Sequence, residues 1–200
     1  MRRFPRLFVF SVCFSFLFSI WACLPFAKKF DIVIQNGFII DGSGNPWFKA
    51  DIGIQGGRIA KIGTIEDKQA KEIIDAQGLI VSPGFIDIHT HCDRGIVRIP
   101  TVDNYIYQGV TSVIGGNCGG HPFPLKELFS KIEDKGTSLN FGCLVGHNTI
   151  RREVMGMKME APSEEDMERM KSLIHREMEA GALGFSTGLS YLPGAYSGKE

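Results

Sequence analysis

Two histidines stand two residues apart in Pro83-Gly84-Phe85-Ile86-Asp87-Ile88-His89-Thr90-His91, at the end of a short apolar run. If that run is a strand, side chains at i and i+2 share a face, so both imidazoles point the same way. Two neutral imidazoles aimed at one point supply half of a tetrahedral zinc site. A bare His-x-His pair fits an inert, exposed strand end better than a metal site. Cys118 separates the two readings, because it lies just beyond a second apolar run, Val110-Thr111-Ser112-Val113-Ile114. Thiolate is a favoured zinc ligand, and two strands ending in ligand-type residues favour a metal centre.

The elements that must position these residues follow from the pattern after Pro83. There the rhythm becomes strand, loop, helix, which predicts βα units and a parallel sheet in an α/β fold. Strands are predicted at 85–89, 110–115, 139–145 and 182–186, with helices around 102–108, 125–135 and 164–180. The last helix has a capping box in Ser163 and Asp166 and a stop at Gly181. Met167, Met170, Ile174 and Met178 form one apolar face of that helix, read as core packing, and His175 reads as a surface residue. Residues 28–82 differ, alternating short strands with turns. Asn36-Gly37, Gly56-Gly57 and Gln77-Gly78 each predict a hairpin between their flanking strands, 31–35 with 38–40, 51–55 with 59–62, and 73–75 with 79–81.

Several ordered motifs carry a resemblance. They are Asp31-Ile32-Val33-Ile34-Gln35-Asn36-Gly37, Asp41-Gly42-Ser43-Gly44, Val81-Ser82-Pro83-Gly84-Phe85-Ile86-Asp87 with the two histidines, and Gly116-Asn117-Cys118-Gly119. Further along come Gly146-His147-Asn148-Thr149-Ile150-Arg151 and Gly181-Ala182-Leu183-Gly184-Phe185-Ser186-Thr187-Gly188-Leu189. Together they resemble the amidohydrolase superfamily, in its N-acyl-D-amino-acid deacylase (D-aminoacylase) branch. The resemblance implies a (β/α)8 TIM barrel preceded by a small β-sandwich, with the active site at the C-terminal ends of the barrel strands. It implies one or two Zn2+ ions held by His89, His91 and Cys118, with Cys118 able to bridge two metal positions. It also implies hydrolysis of the amide bond of a small N-acyl-D-amino acid. Tyr191 is the candidate donor to the carbonyl oxygen, because the family carries a tyrosine in this loop. Later strands of the family supply two more histidines and an aspartate for proton transfer.

Other residues near these strand ends are weighed by chemistry. His147 follows the third strand and is a candidate for orienting a ligand or lining the substrate pocket, or for bonding a neighbouring loop. Arg151, with Arg152 beside it, is a candidate for a substrate carboxylate, which suits a guanidinium fork; adjacent arginines are also commonly solvated. Asp87 sits deeper in its strand and reads as a supporting carboxylate rather than a ligand. His121 is left unassigned. Cys92 should point away from the metal, and Cys143, inside an apolar strand, reads as a small buried hydrophobe.

Length and composition bound these readings. Residues 83–200 hold about four of eight strand–helix units, since a full barrel needs about 250 residues, so the expectation is the N-terminal part of a longer enzyme. A hydrophobic content of 44% with zero formal net charge reads as globular and argues against a nucleic-acid or anionic-membrane partner. Arg2, Arg3 and Arg6 precede an apolar run to about Ala27, which predicts an export signal or membrane anchor over residues 1–27. Cys23, after Ile20-Trp21-Ala22, loosely matches a lipoprotein box. The expected location is therefore periplasmic or extracellular. Two other functions stay open at this stage. One is a cyclic-amide hydrolase of the dihydropyrimidinase or dihydroorotase kind, disfavoured because those enzymes bridge their metals with a lysine after strand four and none occurs from Ala180 to Gly198. The other is an exported, non-catalytic module.

Overall fold

The computed structural model describes residues 29–198. The predicted export segment, with Cys13 and Cys23, lies outside the described residues. The chain divides into two compact units between Pro83 and Gly84, where the sequence rhythm changes.

The first unit holds two small sheets. The strands β1 (Phe30–Gln35), β4 (Asp51–Gln55), β5 (Arg58–Gly63) and β6 (Ala70–Asp75) form a four-stranded sheet in the order β5-β4-β1-β6. A second, three-stranded sheet has the order β3-β2-β7, from Phe48–Lys49, Phe38–Ile39 and Ile80–Val81. Only Gly56-Gly57 makes the hairpin its sequence predicts. Both glycines have positive φ, 58° and 72°, and join β4 to β5 antiparallel. The Asn36-Gly37 and Gln77-Gly78 expectations are corrected. At each turn the chain leaves one sheet and enters the other, so β1 pairs with β4 and β6, while β2 pairs with β3 and β7. Asn36 takes the left-handed conformation at φ 62°. Gly37 then passes so close to the Val81 side chain that a Cβ would stand 2.6 Å from it. A turn signal specifies a reversal of direction, and burying Phe30, Val33, Ile65 and Ala70 together decides which strand comes next.

The second unit contains the parallel strands. β8 (Phe85–Asp87) pairs parallel with β9 (Val110–Gly115), and β9 pairs parallel with β10 (Asn140–Cys143). Then β11 (Val145–Gly146) pairs parallel with β12 (Phe185–Ser186), and the amide of Leu183 donates to Cys143 O at 2.9 Å. Neighbours in the sheet thus follow chain order, as the βα pattern predicts. The helices α1 (Asp103–Ile106), α2 (Leu125–Lys135), α3 (His147–Met155) and α4 (Glu164–Glu179) complete the unit. α3 was absent from the sequence reading, because its first residues follow β11 with no capping side chain to announce it.

The core gathers where helices meet strands. Leu125 and Leu128 of α2, Cys143 and Val145 of the sheet, Ile150 and Met155 of α3, and Met170 of α4 form one buried cluster. The predicted methionine face behaves as core through Met170, with Met167 and Ile174 packed beside it, while Met178 is 40% exposed. Burial pushes the Cys143 thiol up to about 12, so it is an inert hydrophobe. Glu177, also on α4, is 1% exposed, and its Oε2 accepts the Leu125 amide at 2.6 Å. A carboxylate from one helix therefore caps another whose own N-cap, Pro124, has no side chain to offer.

The capping box of α4 is complete: the Asp166 amide donates to Ser163 Oγ at 3.1 Å, and the Ser163 amide donates to Asp166 Oδ2 at 3.2 Å. Substituting Ser163→Ala should lower unfolding free energy by about 1 kcal/mol, read as an earlier midpoint in urea with an unchanged slope.

Candidate metal centre

The ladder of β8 stops at Asp87, two residues before the first histidine. His89 and His91 therefore sit in the turn beyond the strand rather than on its alternating faces, which corrects the predicted strand at 85–89. The turn is held by named bonds. The His89 amide donates to Asp87 Oδ1 at 3.1 Å, and the Thr90 amide and hydroxyl both donate to Ile114 O at 3.0 Å. Asp87 is half-buried and supports the backbone here, as its depth in the strand suggested.

The two imidazoles nevertheless come together, with ring centroids 6.0 Å apart. Cys118 joins them from the turn after β9: His89 Nε2 lies 3.4 Å from Cys118 Sγ, and one ligand atom from each of His89, His91 and Cys118 falls within 4.8 Å of the others. Tetrahedral zinc with nitrogen and sulfur donors sets ligand atoms about 3.3–3.7 Å apart. The His89–Cys118 pair already has that spacing, and no pair among the three exceeds 4.8 Å. The nitrogen, nitrogen and sulfur donor set suits zinc, so the residues present fit the ion.

Cys118 occupies the left-handed region at φ 56°, an unusual conformation for a residue with a Cβ. Its neighbours hold it there. The Gly119 amide donates to Ser186 Oγ at 3.1 Å, and that hydroxyl in turn donates to Gly116 O. Space for the turn depends on glycines facing it: a Cβ on Gly146 would overlap the Gly119 carbonyl, and one on Gly188 would overlap the Cys118 carbonyl. Three strand ends are thereby drawn against one another at backbone distance.

His147 is the first residue of α3 and is half-buried; its Nδ1 lies 3.1 Å from Thr187 Oγ1 and its Nε2 3.3 Å from Ser197 Oγ. With Phe185 and Leu189 it lines a cavity whose walls also include residues of α3 and α4. Tyr191 lies in the loop after β12, 57% exposed. Arg151 is placed differently from its expectation. It is 1% exposed, and its guanidinium donates to Glu160 O at 2.6 Å and Lys158 O at 3.4 Å. The group predicted to meet a substrate carboxylate is buried inside the fold, where its Nη2 fastens the segment after α3.

Sequence reasoning passed over His121, which is buried between the strand ends. Its Nδ1 accepts the Gly146 amide at 2.8 Å, its own amide donates to Thr149 Oγ1 at 3.0 Å, and its carbonyl accepts from that hydroxyl at 3.1 Å. The ring therefore clamps the turn after β9 to the start of α3. Glu177 Oε2 stands 3.8 Å from His121 Nε2, too far for a hydrogen bond. Burial, followed by the Arg152 guanidinium, pushes the ring's pKa down to about 4, so it is neutral at physiological pH.

Comparison with known proteins identifies the family. A family profile described as the amidohydrolase family matches residues 72–197, and one described as the urease alpha-subunit N-terminal domain matches residues 24–85. A D-aminoacylase of Alcaligenes xylosoxydans xylosoxydans is 37% identical over 197 residues, covering 87% of this chain and 41% of its own length. The N-acyl-D-glutamate deacylase of the same organism is 39% identical over 189 residues, covering 84% and 39%. The crystal structure of N-acyl-D-glutamate deacylase from Bordetella bronchiseptica, complexed with zinc and a phosphonate mimic of the tetrahedral intermediate, superposes with a TM-score of 0.80 at 36% identity. That match covers 86% of this chain and 41% of the other. A crystal structure of D-aminoacylase superposes with a TM-score of 0.78 at 33% identity, covering 84% and 40%. The chain spans about two fifths of the length of these relatives, over their N-terminal part. The parallel unit has the TIM-barrel type of fold that the motifs implied.

The neutral His121 ring has a measurable consequence. Its folded pKa is depressed below the unfolded value, so the unfolded chain takes up a proton that the folded ring refuses. Stability should fall as pH drops from about 6.5 towards 4, by up to about 3 kcal/mol. Denaturation midpoints across that range should show the slope, and His121→Gln should flatten it.

Proposed function

Because the chain belongs to the amidohydrolase family, whose profile spans residues 72–197, we propose that it carries the metal-binding strand ends of a zinc-dependent hydrolase acting on the amide bond of N-acyl-D-amino acids. The observation that carries this reading is the convergence of His89, His91 and Cys118 to within 4.8 Å from the ends of two neighbouring parallel strands. The similarity to D-aminoacylase and to N-acyl-D-glutamate deacylases supports the substrate class.

Zinc held at this cluster supplies Lewis-acid polarisation of the scissile carbonyl and a water nucleophile usable at neutral pH. The protein's own residues do the rest. His89 and His91 would present ring nitrogens to the ion, and Cys118 its sulfur from a turn in the left-handed conformation. The Tyr191 phenol donates a hydrogen bond to the carbonyl oxygen as negative charge builds there. The His147 ring, oriented by Thr187 and Ser197, lines the substrate side of the site. Arg151 is not carried forward as a carboxylate ligand, because it is 1% exposed and its Nη2 already bonds Glu160 O. The deacylase reading outweighs the cyclic-amide one on a structural point as well: β12 ends at Ser186, followed by Thr187 and not by a lysine, and Cys118 Sγ lies 3.4 Å from His89 Nε2. The basic and apolar residues within 1–27 support a location outside the cytoplasm, a proposal that cell fractionation checks.

Cys118→Ala in the protein from its own host should abolish tight zinc binding and deacylase activity together, measured by metal analysis and release of free D-amino acid. Unchanged zinc content would refute the ligand assignment. Tyr191→Phe should retain zinc and lower kcat by about 100-fold or more with little change in KM. An unaltered kcat would remove Tyr191 from the reaction.

A further inference from the structure

The residue before Cys118 makes contacts that the metal-ligand reading leaves unexplained. Asn117 is 7% exposed, and its Nδ2 faces three backbone carbonyls: Ile114 O at 2.8 Å, Thr90 O at 3.2 Å and Ile88 O at 3.4 Å. Only the nitrogen end of an amide can face three acceptors, and its two hydrogens serve the nearer pair while the third is shared. Ile88 and Thr90 are the residues on either side of His89. Thr90 also precedes His91, and Ile114 belongs to the strand that leads into Cys118. One side chain therefore binds the backbone on both sides of the first histidine to the strand carrying the thiolate.

We propose that Asn117 is the positioning residue that sets the separation of His89, His91 and Cys118 and thereby their metal affinity, an inference that rests on the zinc reading above. The alternatives at this position show why the amide is needed. A carboxylate of the same shape would set negative charge against three carbonyl oxygens in a buried site. A serine hydroxyl is too short to span all three and has one hydrogen to give. Thr90 repeats the link to Ile114 O through its amide and hydroxyl, so the carbonyl of Ile114 accepts from three donors on two loops. These bonds work at one remove from the metal. Their effect is on the ligands' spacing, and a group of this kind is worth 10- to 100-fold in metal affinity.

The test compares zinc dissociation constants, by competition with a chromophoric chelator, and the thiolate-to-metal charge-transfer band with Co2+. The proteins are the unmodified natural polypeptide, Asn117→Asp, Asn117→Ser and Met170→Ala. Met170 is buried in the core on α4 and contributes nothing to the cluster, so Met170→Ala reports general loss of stability. The expected result is a 10- to 100-fold loss of zinc affinity and a weakened or shifted cobalt band in each Asn117 variant that circular dichroism shows to be folded. Met170→Ala keeps the unmodified affinity and band while unfolding more easily. Should the carboxylate variant fail to fold, the serine variant decides, since it adds no charge. Asn117 variants that bind zinc as tightly as the unmodified protein would overturn the proposal. So would failure of both to fold, or an equal loss in Met170→Ala, because Asn117 would then serve the fold alone. An unmodified protein that binds no zinc would instead refute the zinc reading on which the inference stands.

Discussion

Backbone meets backbone at the strand ends of this protein, and the candidate site exists because nothing larger than hydrogen stands between them. Gly146 faces the carbonyl of Gly119, and Gly188 faces that of Cys118, each at a separation no Cβ permits. A metal centre built from loops needs its donors placed to a few tenths of an ångström. Loops held apart by side chains would leave that placement to long, flexible stems. Contact between main chains makes the turns part of the rigid sheet instead, and the left-handed Cys118 is the conformational cost of that closeness.

The polar groups around these contacts form a second layer of restraint. Ser186 bridges Gly116 and Gly119 from β12, Asn117 and Thr90 tie the histidine turn to β9, and His121 fastens the start of α3. Each bond joins loops that follow different strands, so the cluster is braced in several directions. The helices serve the same end from further away. Glu177 reaches from α4 to cap α2, and Arg151 pins the segment leading towards α4. Buried charged groups are costly unless their bonding is nearly complete. Here Glu177 Oε2 and Arg151 Nη2 bond backbone atoms, which is why they read as structural supports rather than reagents.

The strand period explains how far local reasoning can go. It placed the two histidines on one side, and they do share one, but through a turn rather than through alternation, since the ladder ends at Asp87. The capping box of α4 and the Gly56-Gly57 hairpin needed only neighbours within a few residues, and both formed as their sequences indicate. Asn36-Gly37 and Gln77-Gly78 turned the chain as such pairs do, yet each delivered it to a different sheet, a choice made by the apolar residues of distant strands.

The amino-acid sequence by itself determined the parallel βα rhythm after Pro83, the change of rhythm near that residue, and the identity of the cysteine and two histidines. Those properties are carried by residue type and short spacing, which survive any folding of the remainder. Tertiary structure decided the rest. It moved Arg151 indoors, made His121 a neutral clamp and began a helix at His147. It also set the amide of Asn117 against three carbonyls lying 3 to 29 residues away in the chain. Whether a polar group acts as reagent or as brace depends on which backbone atoms surround it. That environment comes into being only when the strands have packed.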